Sequence, residues 1–394
     1  MTIAPHVAPP RWMSSGQSVD PDAHRAGAQA AAAALAGHDD AKLLVVFASD
    51  SYALPDLLRG VRGVIGEVPL IGCTTAGEIA ETGPADRSVA VMALGGPGFQ
   101  VSTAAAMGMS EDLRGAGASA AACHLDVGSA RHSVLLLLTD GLAGDQQEVV
   151  RGAYGVLGAA VPLVGGCAGD DLKMVRTAQM HGDEILYDAV VAAAIGSDAP
   201  IGIGVSHGWH RVGEAMLVTG SRGSIVESLD DEPALDVYLR RLAAPEEAHH
   251  DRAAFTRFAL THPLGLSRRS GESVRFVADV DFETRSLVCV ANVPQGGLAW
   301  FMEGDHDSVL AATDAACAEA LAEVGGAAPL GFLTFDCIAR RGVLGDRGIA
   351  LEVERIREHC PGTPVAGFYT YGEIARTRGT TGFHNQTLVV LAMT

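Results

Sequence analysis

The sequence predicts an α/β protein with mixed sheets, divided into two domains that are built from related β-α-β-β blocks. Apolar runs of strand length alternate with segments of helical periodicity, which is the pattern of α/β folds. This order occurs three times along the chain. Shorter runs separated by turn residues lie between the second and third occurrences, and they predict an antiparallel meander in the second domain.

The first element expected in the folded part is a helix. Asp20 and Pro21 predict an N-cap and a first helical position, and the alanine-rich residues 23–36 continue the helix until Gly37 ends it. The preceding residues, 1–19, mix prolines, serines and single charges without the apolar core of a signal peptide. We expect them to form a disordered leader.

Each block contains an apolar strand, an amphipathic helix, a second strand ending in a glycine-containing turn, and a closing strand. The opening strands are predicted at 43–49, 134–139 and 330–337, and the closing strands at 88–94, 189–195 and 387–392. Irregular spacing and long blocks indicate an ancient duplication rather than a solenoid. The expected domains are 20–230, which includes the first helix, and 231–394.

The residues between the second and third blocks have a different pattern. Two runs flank Gly220–Gly223 and predict a β-hairpin. A helix, three alternating runs and a long helical pattern follow, at 233–242, 274–280, 287–293, 298–301 and 309–324.

Composition excludes several classes of protein. The net charge of −19, without a cluster of lysines or arginines, makes nucleic acid an unexpected partner. No apolar run approaches the roughly 20 residues of a membrane span, so we expect no membrane segment and a cytoplasmic protein. The seven cysteines are odd in number and never form Cys-x-x-Cys, which indicates reduced thiols and no zinc site.

Candidate ligand-binding residues lie where strands end, because ligands of open α/β sheets bind at the carboxyl ends of strands. Two Gly-Glu pairs, at Glu78 and Glu373, either mark tight bends or present a carboxylate to a ligand ammonium. Hydroxyl groups beside them would orient that ligand. These hydroxyl-bearing residues are Thr74, Thr75, Tyr369 and Tyr371.

The third block places a thiol and guanidinium groups after its opening strand. Cys337 is either a small core residue or part of the site. Arg340 requires a charged partner if buried, and that partner is either a ligand carboxylate or an internal glutamate.

Two other motifs are candidates for a catalytic or cofactor-binding role. Gly204–Gly208 has the letters of a nucleophile elbow around Ser206, but the chain continues into a predicted strand rather than a helix. His207, His210 and His384 are the candidate ligands if haem binds, although surface or hydrogen-bonded histidines are more common.

Four segments together resemble the FIST family. They are Val68–Glu78, Glu232–Tyr238, Gly367–Ile374 and Phe383–Val390, and the resemblance extends from about Leu43 to the end in the family's N-then-C order. The family implies an intracellular sensory module for small ligands, with amino acids suggested for many members. Some members resemble haem-dependent nitric oxide sensors. The sequence shows no output segment, so we expect signalling through a separate partner.

The leading hypothesis is therefore a binding module rather than an enzyme, with no cofactor required. The expected ligand-binding residues are Thr74, Thr75, Glu78, Cys337, Arg340, Tyr369, Tyr371, Glu373 and Asn385. A haem-binding nitric oxide sensor is the first alternative. An enzyme with Cys337 as nucleophile and a pure scaffold are the others.

Overall fold

The computed structural model describes residues 10–127, 130–268, 271–377 and 382–394. The first block contains β1 (Trp12–Ser18), α1 (Ala23–Ala34), β2 (Ala41–Ser49), α2 (Leu54–Ile65), β3 (Leu70–Thr75), β4 (Glu78–Ala80), β5 (Gly83–Ala85) and β6 (Val89–Gly95). The second block contains β7 (Phe99–Met107), α3 (Leu113–Ala121), a 3₁₀ helix (Ala122–Val127), β8 (His132–Thr139), α4 (Gln146–Leu157), β9 (Leu163–Cys167), β10 (Gln179–His181), β11 (Glu184–Leu186) and β12 (Ala189–Ser197).

The third block opens with β13 (Ile201–Ser206) and is then interrupted by an insertion. The insertion contains β14 (His210–Arg222), β15 (Ile225–Leu229), β16 (Glu232–Pro233), α5 (Ala234–Arg241), a 3₁₀ helix (Glu246–His249), α6 (Arg252–Ala259), β17 (Leu264–Arg268), β18 (Gly271–Arg275), β19 (Val277–Asp281), β20 (Ser286–Cys289) and β21 (Leu298–Glu303). The block resumes with α7 (His306–Glu323), β22 (Gly331–Cys337), α8 (Ile338–His359), β23 (Val365–Thr370), β24 (Glu373–Arg376), β25 (Phe383–His384) and β26 (Leu388–Met393).

The three blocks build three six-stranded sheets with the same layout, which confirms the predicted α/β class with mixed sheets. The strand orders are β1-β6-β2-β3-β10-β11, β7-β12-β8-β9-β24-β25 and β13-β26-β22-β23-β4-β5. The central pairs β2/β3, β8/β9 and β22/β23 are parallel, and their neighbours are antiparallel. Each sheet therefore has four strands of its own block and a hairpin donated by another block.

The inner faces of the three sheets share one core. Phe47 of β2, Phe335 of β22 and Phe368 of β23 are fully buried there, with the Phe47 and Phe368 ring centroids 4.8 Å apart. Helices cover the outer faces in close-packed pairs. A Cβ at Gly60 would lie 2.0 Å from His24 O, and one at Gly152 would lie 2.0 Å from Arg114 O, so glycine is required at both contacts.

The insertion forms a separate antiparallel sheet with the order β18-β17-β21-β14-β15-β20-β19, and β16 pairs with β15. Its core lies around Tyr238, Phe255 and Phe301. The predicted antiparallel strands and the predicted hairpin are both present in it, although β14 continues through Arg222 and the turn of the hairpin lies at Gly223 and Ser224 rather than at Gly220–Gly223. The expected domain boundary at residue 230 falls between β15 and β16.

The amino-terminal region differs from the sequence expectation. Trp12–Ser18 is paired with β6 at all seven positions, so the expected disorder does not hold there, while residues 1–9 lie outside the described residues. The helix is capped by Asp22, which accepts a hydrogen bond from Arg25 N at 2.9 Å, rather than by Asp20. A strand with polar residues on its exposed face has too little apolar character to stand out from a leader.

In the described residues, each helix is too short or too polar to cross a membrane.

Candidate functional site

The turns after β3, β9 and β23 meet at one place, where the carboxyl ends of the three parallel strand pairs converge. Ala76 N donates to Tyr369 O at 3.0 Å, Gly169 N donates to Thr74 O at 3.0 Å, and Tyr371 N donates to Cys167 O at 3.2 Å. These backbone bonds join the three blocks in a ring, which we call the turn ring. Most of the residues predicted to bind ligand lie in this ring or directly beside it.

Two of the three turns hold a buried glutamate in the same way. Glu78 accepts hydrogen bonds from Thr75 Oγ1 and, at 2.7 Å, from Ser88 Oγ. Ser88 N also donates to Glu78 Oε2 at 3.0 Å. Burial raises the pKa of Glu78 to about 8, despite these hydrogen bonds.

Glu373 repeats this arrangement in the third block. It accepts hydrogen bonds from Thr370 Oγ1, from Thr387 Oγ1 at 2.9 Å and from Thr387 N at 3.2 Å. Burial raises its pKa to about 7. Both glutamates are fully buried and use their oxygens within the protein, so neither faces a ligand in this conformation.

The second block has Asp170 at the corresponding position, and its role is different. Tyr371 Oη donates to Asp170 Oδ1 at 2.6 Å, and the carboxylate also accepts hydrogen bonds from the backbone of the segment that follows. The second block therefore departs from the arrangement that the first and third blocks share in the turn ring.

The other residues predicted in the site are also buried. Thr74 Oγ1 accepts a hydrogen bond from Ala178 N at 3.0 Å. Within the described residues, Tyr369 Oη and Asn385 Oδ1 have no hydrogen-bond partner. Burial raises the pKa of the Cys337 thiol well above its usual range, so the thiol stays protonated at neutral pH and is a poor nucleophile.

Arg340 is paired inside the protein, which is the second of the two partners considered from the sequence. Its Nε donates to Asp336 Oδ1 at 2.6 Å and its Nη2 donates to Glu352 Oε1 at 2.5 Å. Thr313 Oγ1 and the carbonyl of His207 accept further bonds from the same guanidinium. Arg340 thus joins α7, α8 and the ends of β13 and β22, and no face of it is exposed.

One guanidinium cannot neutralise both carboxylates, so the cluster requires a proton. Asp336 Oδ2 and Glu352 Oε2 are buried and have no hydrogen-bond partner among the described residues. Burial, with the Glu352 charge beside it, raises the pKa of Asp336 well above its usual range. A proton on Asp336 would leave the guanidinium and the Glu352 carboxylate as one balanced pair of charges.

The three histidines named as candidate haem ligands differ in exposure and in hydrogen-bond partners. His210 is exposed and lies 3.1 Å from Glu303. His207 Nδ1 accepts a hydrogen bond from Trp209 N, and His384 Nε2 bonds to Ala375 O. Burial lowers the pKa of His384 to about 4, so it is neutral, and none of the three lines the cleft described next.

An open cleft of about 410 Å³ lies beside the turn ring, between the β4–β5 hairpin and α8. We call it the Arg341 cleft. Arg341 Nη1 donates to Ala76 O at 3.1 Å and lies 2.8 Å from Asp86 Oδ1, and its guanidinium carbon lies 5.1 Å from the centre of the Tyr369 ring. Ile349 and Val353 form an apolar floor, while Asp346, Glu354 and Arg357 add charge along the helix.

Of the two consecutive arginines that follow β22, Arg340 is buried and Arg341 reaches the cleft. Consecutive residues of a helix point about 100° apart, so one arginine enters the core and the next reaches the cleft. The backbone of α8 is non-helical at Gly345, so α8 consists of two helical pieces, and the buried residues Arg340 and Leu344 lie on the first piece and Gly348 and Glu352 on the second. Asp86, Asp346, Glu354 and Arg357 carried no motif that distinguishes them from ordinary surface charge.

The chain matches the FIST N domain over residues 42–232 and the FIST C domain over residues 234–376. An uncharacterized protein of Mycobacterium tuberculosis is 27% identical over 389 residues, covering 94% of this chain and 97% of that protein. An uncharacterized protein of Methanocaldococcus jannaschii is 27% identical over 154 residues, covering 37% of this chain and 30% of that protein. A chorismatase crystal structure aligns over 99% of this chain and 100% of that chain at 10% identity, with a TM-score of 0.39, which is too low to support an argument.

Proposed function

Because the chain belongs to the FIST family, we propose that it is a sensory module that binds a small molecule and signals through a separate protein. The proposed ligand is an amino acid or a related metabolite, and the proposed site is the Arg341 cleft. The observation that carries this proposal is the presence of both charge signs above an apolar floor in one cleft beside the turn ring.

A zwitterionic ligand fits these groups by simple pairing. A guanidinium donates two parallel hydrogen bonds to a carboxylate. We therefore assign the ligand carboxylate to Arg341. Asp86 and Glu354 are carboxylates available for the ammonium group, and Ile349 and Val353 offer a surface to an apolar side chain. Asp86 forms an ion pair with Arg341, so the ligand carboxylate would replace Asp86 as the partner of Arg341.

The two walls of the cleft come from distant parts of the chain. The hairpin wall lies in the region that matches the FIST N domain, and the α8 wall lies in the region that matches the FIST C domain. A ligand that contacts both walls stabilises the arrangement of the two walls to which it binds more tightly. Such a conformational shift couples ligand binding to the output of a sensor.

The test is binding of the twenty amino acids, measured by thermal shift and then by calorimetric titration. A true ligand raises the melting temperature because it binds only the folded state. Arg341→Met should lose binding at least tenfold without losing fold, since Arg341 is only partly buried. Arg355→Met is the matched control, because Arg355 lies on the same helix and pairs with Asp314 outside the cleft. Equal affinity in Arg341→Met and wild type would remove the cleft from the proposal.

The haem alternative is tested on the same protein. Protein supplied with haem should show a Soret band if haem binds, and that band should shift in a His207→Ala or His384→Ala variant if either histidine is the axial ligand. A colourless protein with an amino acid response would favour the metabolite sensor.

A further inference from the structure

A short exposed segment, residues 171–176, presents apolar side chains to solvent. Leu172 is 61% exposed, Met174 is 61% exposed and Val175 is 79% exposed. Single exposed apolar residues are ordinary on protein surfaces, but three within four positions form a patch.

The backbone of this segment is held in an unusual conformation. Asp171, Leu172 and Met174 have φ values of 53°, 61° and 55°, in the left-handed region that non-glycine residues rarely adopt. Such conformations persist only where surrounding structure imposes them, and they are common at functional sites.

The surrounding structure does impose this conformation, through two buried residues. Asp170 accepts hydrogen bonds from the backbone N–H groups of Met174 at 3.0 Å and Val175 at 2.7 Å. Tyr371 Oη accepts one from Leu172 N at 2.7 Å. The polar backbone is thus turned inward and the apolar side chains outward, in one fixed arrangement.

The other two blocks have no counterpart of this segment. In them the residue after the turn glycine, Glu78 or Glu373, is also the first residue of the donated hairpin. In the second block, residues 170–178 intervene before β10. Block packing therefore does not require the segment, since two blocks complete their neighbour's sheet without it.

We propose that segment 171–176 is a docking surface for a separate protein, one that carries a net positive charge and presents an apolar pocket. The chain carries a net charge of −19, which favours a positively charged partner and disfavours a second copy and an anionic bilayer as the occupant. Charge is balanced at the segment itself, because Lys173 pairs with Asp50 at 2.6 Å, Arg341 pairs with Asp86, and the exposed Arg176 lies in the same segment as Asp171. The inference does not depend on which ligand the Arg341 cleft binds.

Asp86 connects this surface to the cleft. It pairs with Arg341 at the cleft and also acts electrostatically on Asp171. Exchange of partners at Arg341 would free the Asp86 carboxylate to move relative to Asp171, and this provides a route for output.

The test begins with a photo-crosslinking residue at position 175 of the full chain, in its native cells. The matched control carries the same residue at position 125, because Leu125 is 75% exposed on a different surface. We expect a protein that crosslinks from position 175 and not from position 125. That protein, once purified, should bind wild type and Leu125→Ser equally, and Leu172→Asn/Val175→Ser at least tenfold more weakly.

Three results would overturn the proposal. The first is crosslinking no stronger at position 175 than at position 125. The second is binding of the purified protein to the double variant within twofold of wild type. The third is a wild-type dimer in light scattering that the double variant converts to monomer, because the occupant is then a second copy. The melting temperature of the double variant should match wild type, since both side chains are exposed.

Discussion

Arg340 Nε lies 2.6 Å from Asp336 Oδ1, and neither side chain is exposed to solvent. Removing one partner of such a pair leaves a charge buried without compensation. We expect Arg340→Ala to lower the free energy of unfolding by about 3–5 kcal/mol, measured by urea denaturation. Arg355→Ala removes a partly exposed pair with Asp314 and should cost less than about 1 kcal/mol. Similar costs for the two variants would contradict the internal role of Arg340.

If Asp336 is protonated, its amide and alanine variants should behave differently. The amide introduced by Asp336→Asn would keep an oxygen for Arg340 and, like a protonated carboxyl, carry no charge. We therefore expect Asp336→Asn to change stability by about 1 kcal/mol or less. Asp336→Ala should cost about 3 kcal/mol or more, because Arg340 Nε loses its acceptor. The infrared difference spectrum of wild type minus Asp336→Asn should contain one band of a protonated buried carboxyl, while the bands of Glu78 and Glu373 are common to both proteins and cancel. Absence of that difference band would place the proton elsewhere.

The glutamates of the turn ring should make stability depend on pH. Their folded pKa values, about 8 for Glu78 and about 7 for Glu373, lie above the ordinary value of 4.5. The folded state therefore binds protons more tightly, and the associated stability is fully present below pH 4.5 and is lost as pH rises through 7 and 8. Each group contributes a slope of at most about 1.4 kcal/mol per pH unit.

Neutral isosteres test this dependence. Glu78→Gln and Glu373→Gln should each flatten the fall in the free energy of unfolding between pH 5 and pH 8, and the Glu78 contribution should extend to the higher pH. Denaturant titrations at several pH values measure the free energy of unfolding and hence this slope. A variant with the wild-type slope would show that its glutamate is ionised throughout that range.

Tyr371 should control the order of segment 171–176. Tyr371→Phe removes the hydroxyl that bonds to Asp170 and Leu172 N, and a lost buried partner costs about 1–3 kcal/mol locally. We expect faster hydrogen exchange at residues 171–176 with little change elsewhere. Tyr187→Phe is the control, since it removes a hydroxyl beside the same segment and keeps the ring, whose centre lies 4.4 Å from the guanidinium carbon of Arg176. Unchanged exchange in Tyr371→Phe would mean that Asp170 alone holds the segment.

Much of the fold is predictable from local sequence because its strands are buried on both faces. Leu43–Ala48 is fully buried, and such a strand appears in the sequence as an uninterrupted apolar run. Strand β1 was not predicted because polar residues interrupt it, and its identity depends on pairing with β6, which is distant in sequence. The exchange of hairpins between blocks was also not predicted, because β4 and β10 are only three residues long and carry no information about their partners.

The location of the candidate site was predictable to the level of a sheet edge but not to the level of a side chain. Glu78, Tyr369 and Glu373 do lie where strands end, as expected. Whether a polar residue at that edge turns inward or outward depends on tertiary partners such as Ser88 and Thr387, which follow their glutamates by 10 and 14 residues. The sequence pattern contains no signal for those contacts.

The exchange of hairpins also determines when each sheet can be completed during synthesis. The first sheet contains no residue beyond Leu186, so it can close while the ribosome is still making the second half of the chain. The second sheet must wait for β25 at His384, and the third must wait for β26 at Met393. The β4–β5 hairpin, made early, remains without its sheet until β23 emerges nearly 300 residues later. A nascent chain of this architecture therefore exposes unpaired strand edges for most of its translation, and it is then that chaperones are most needed.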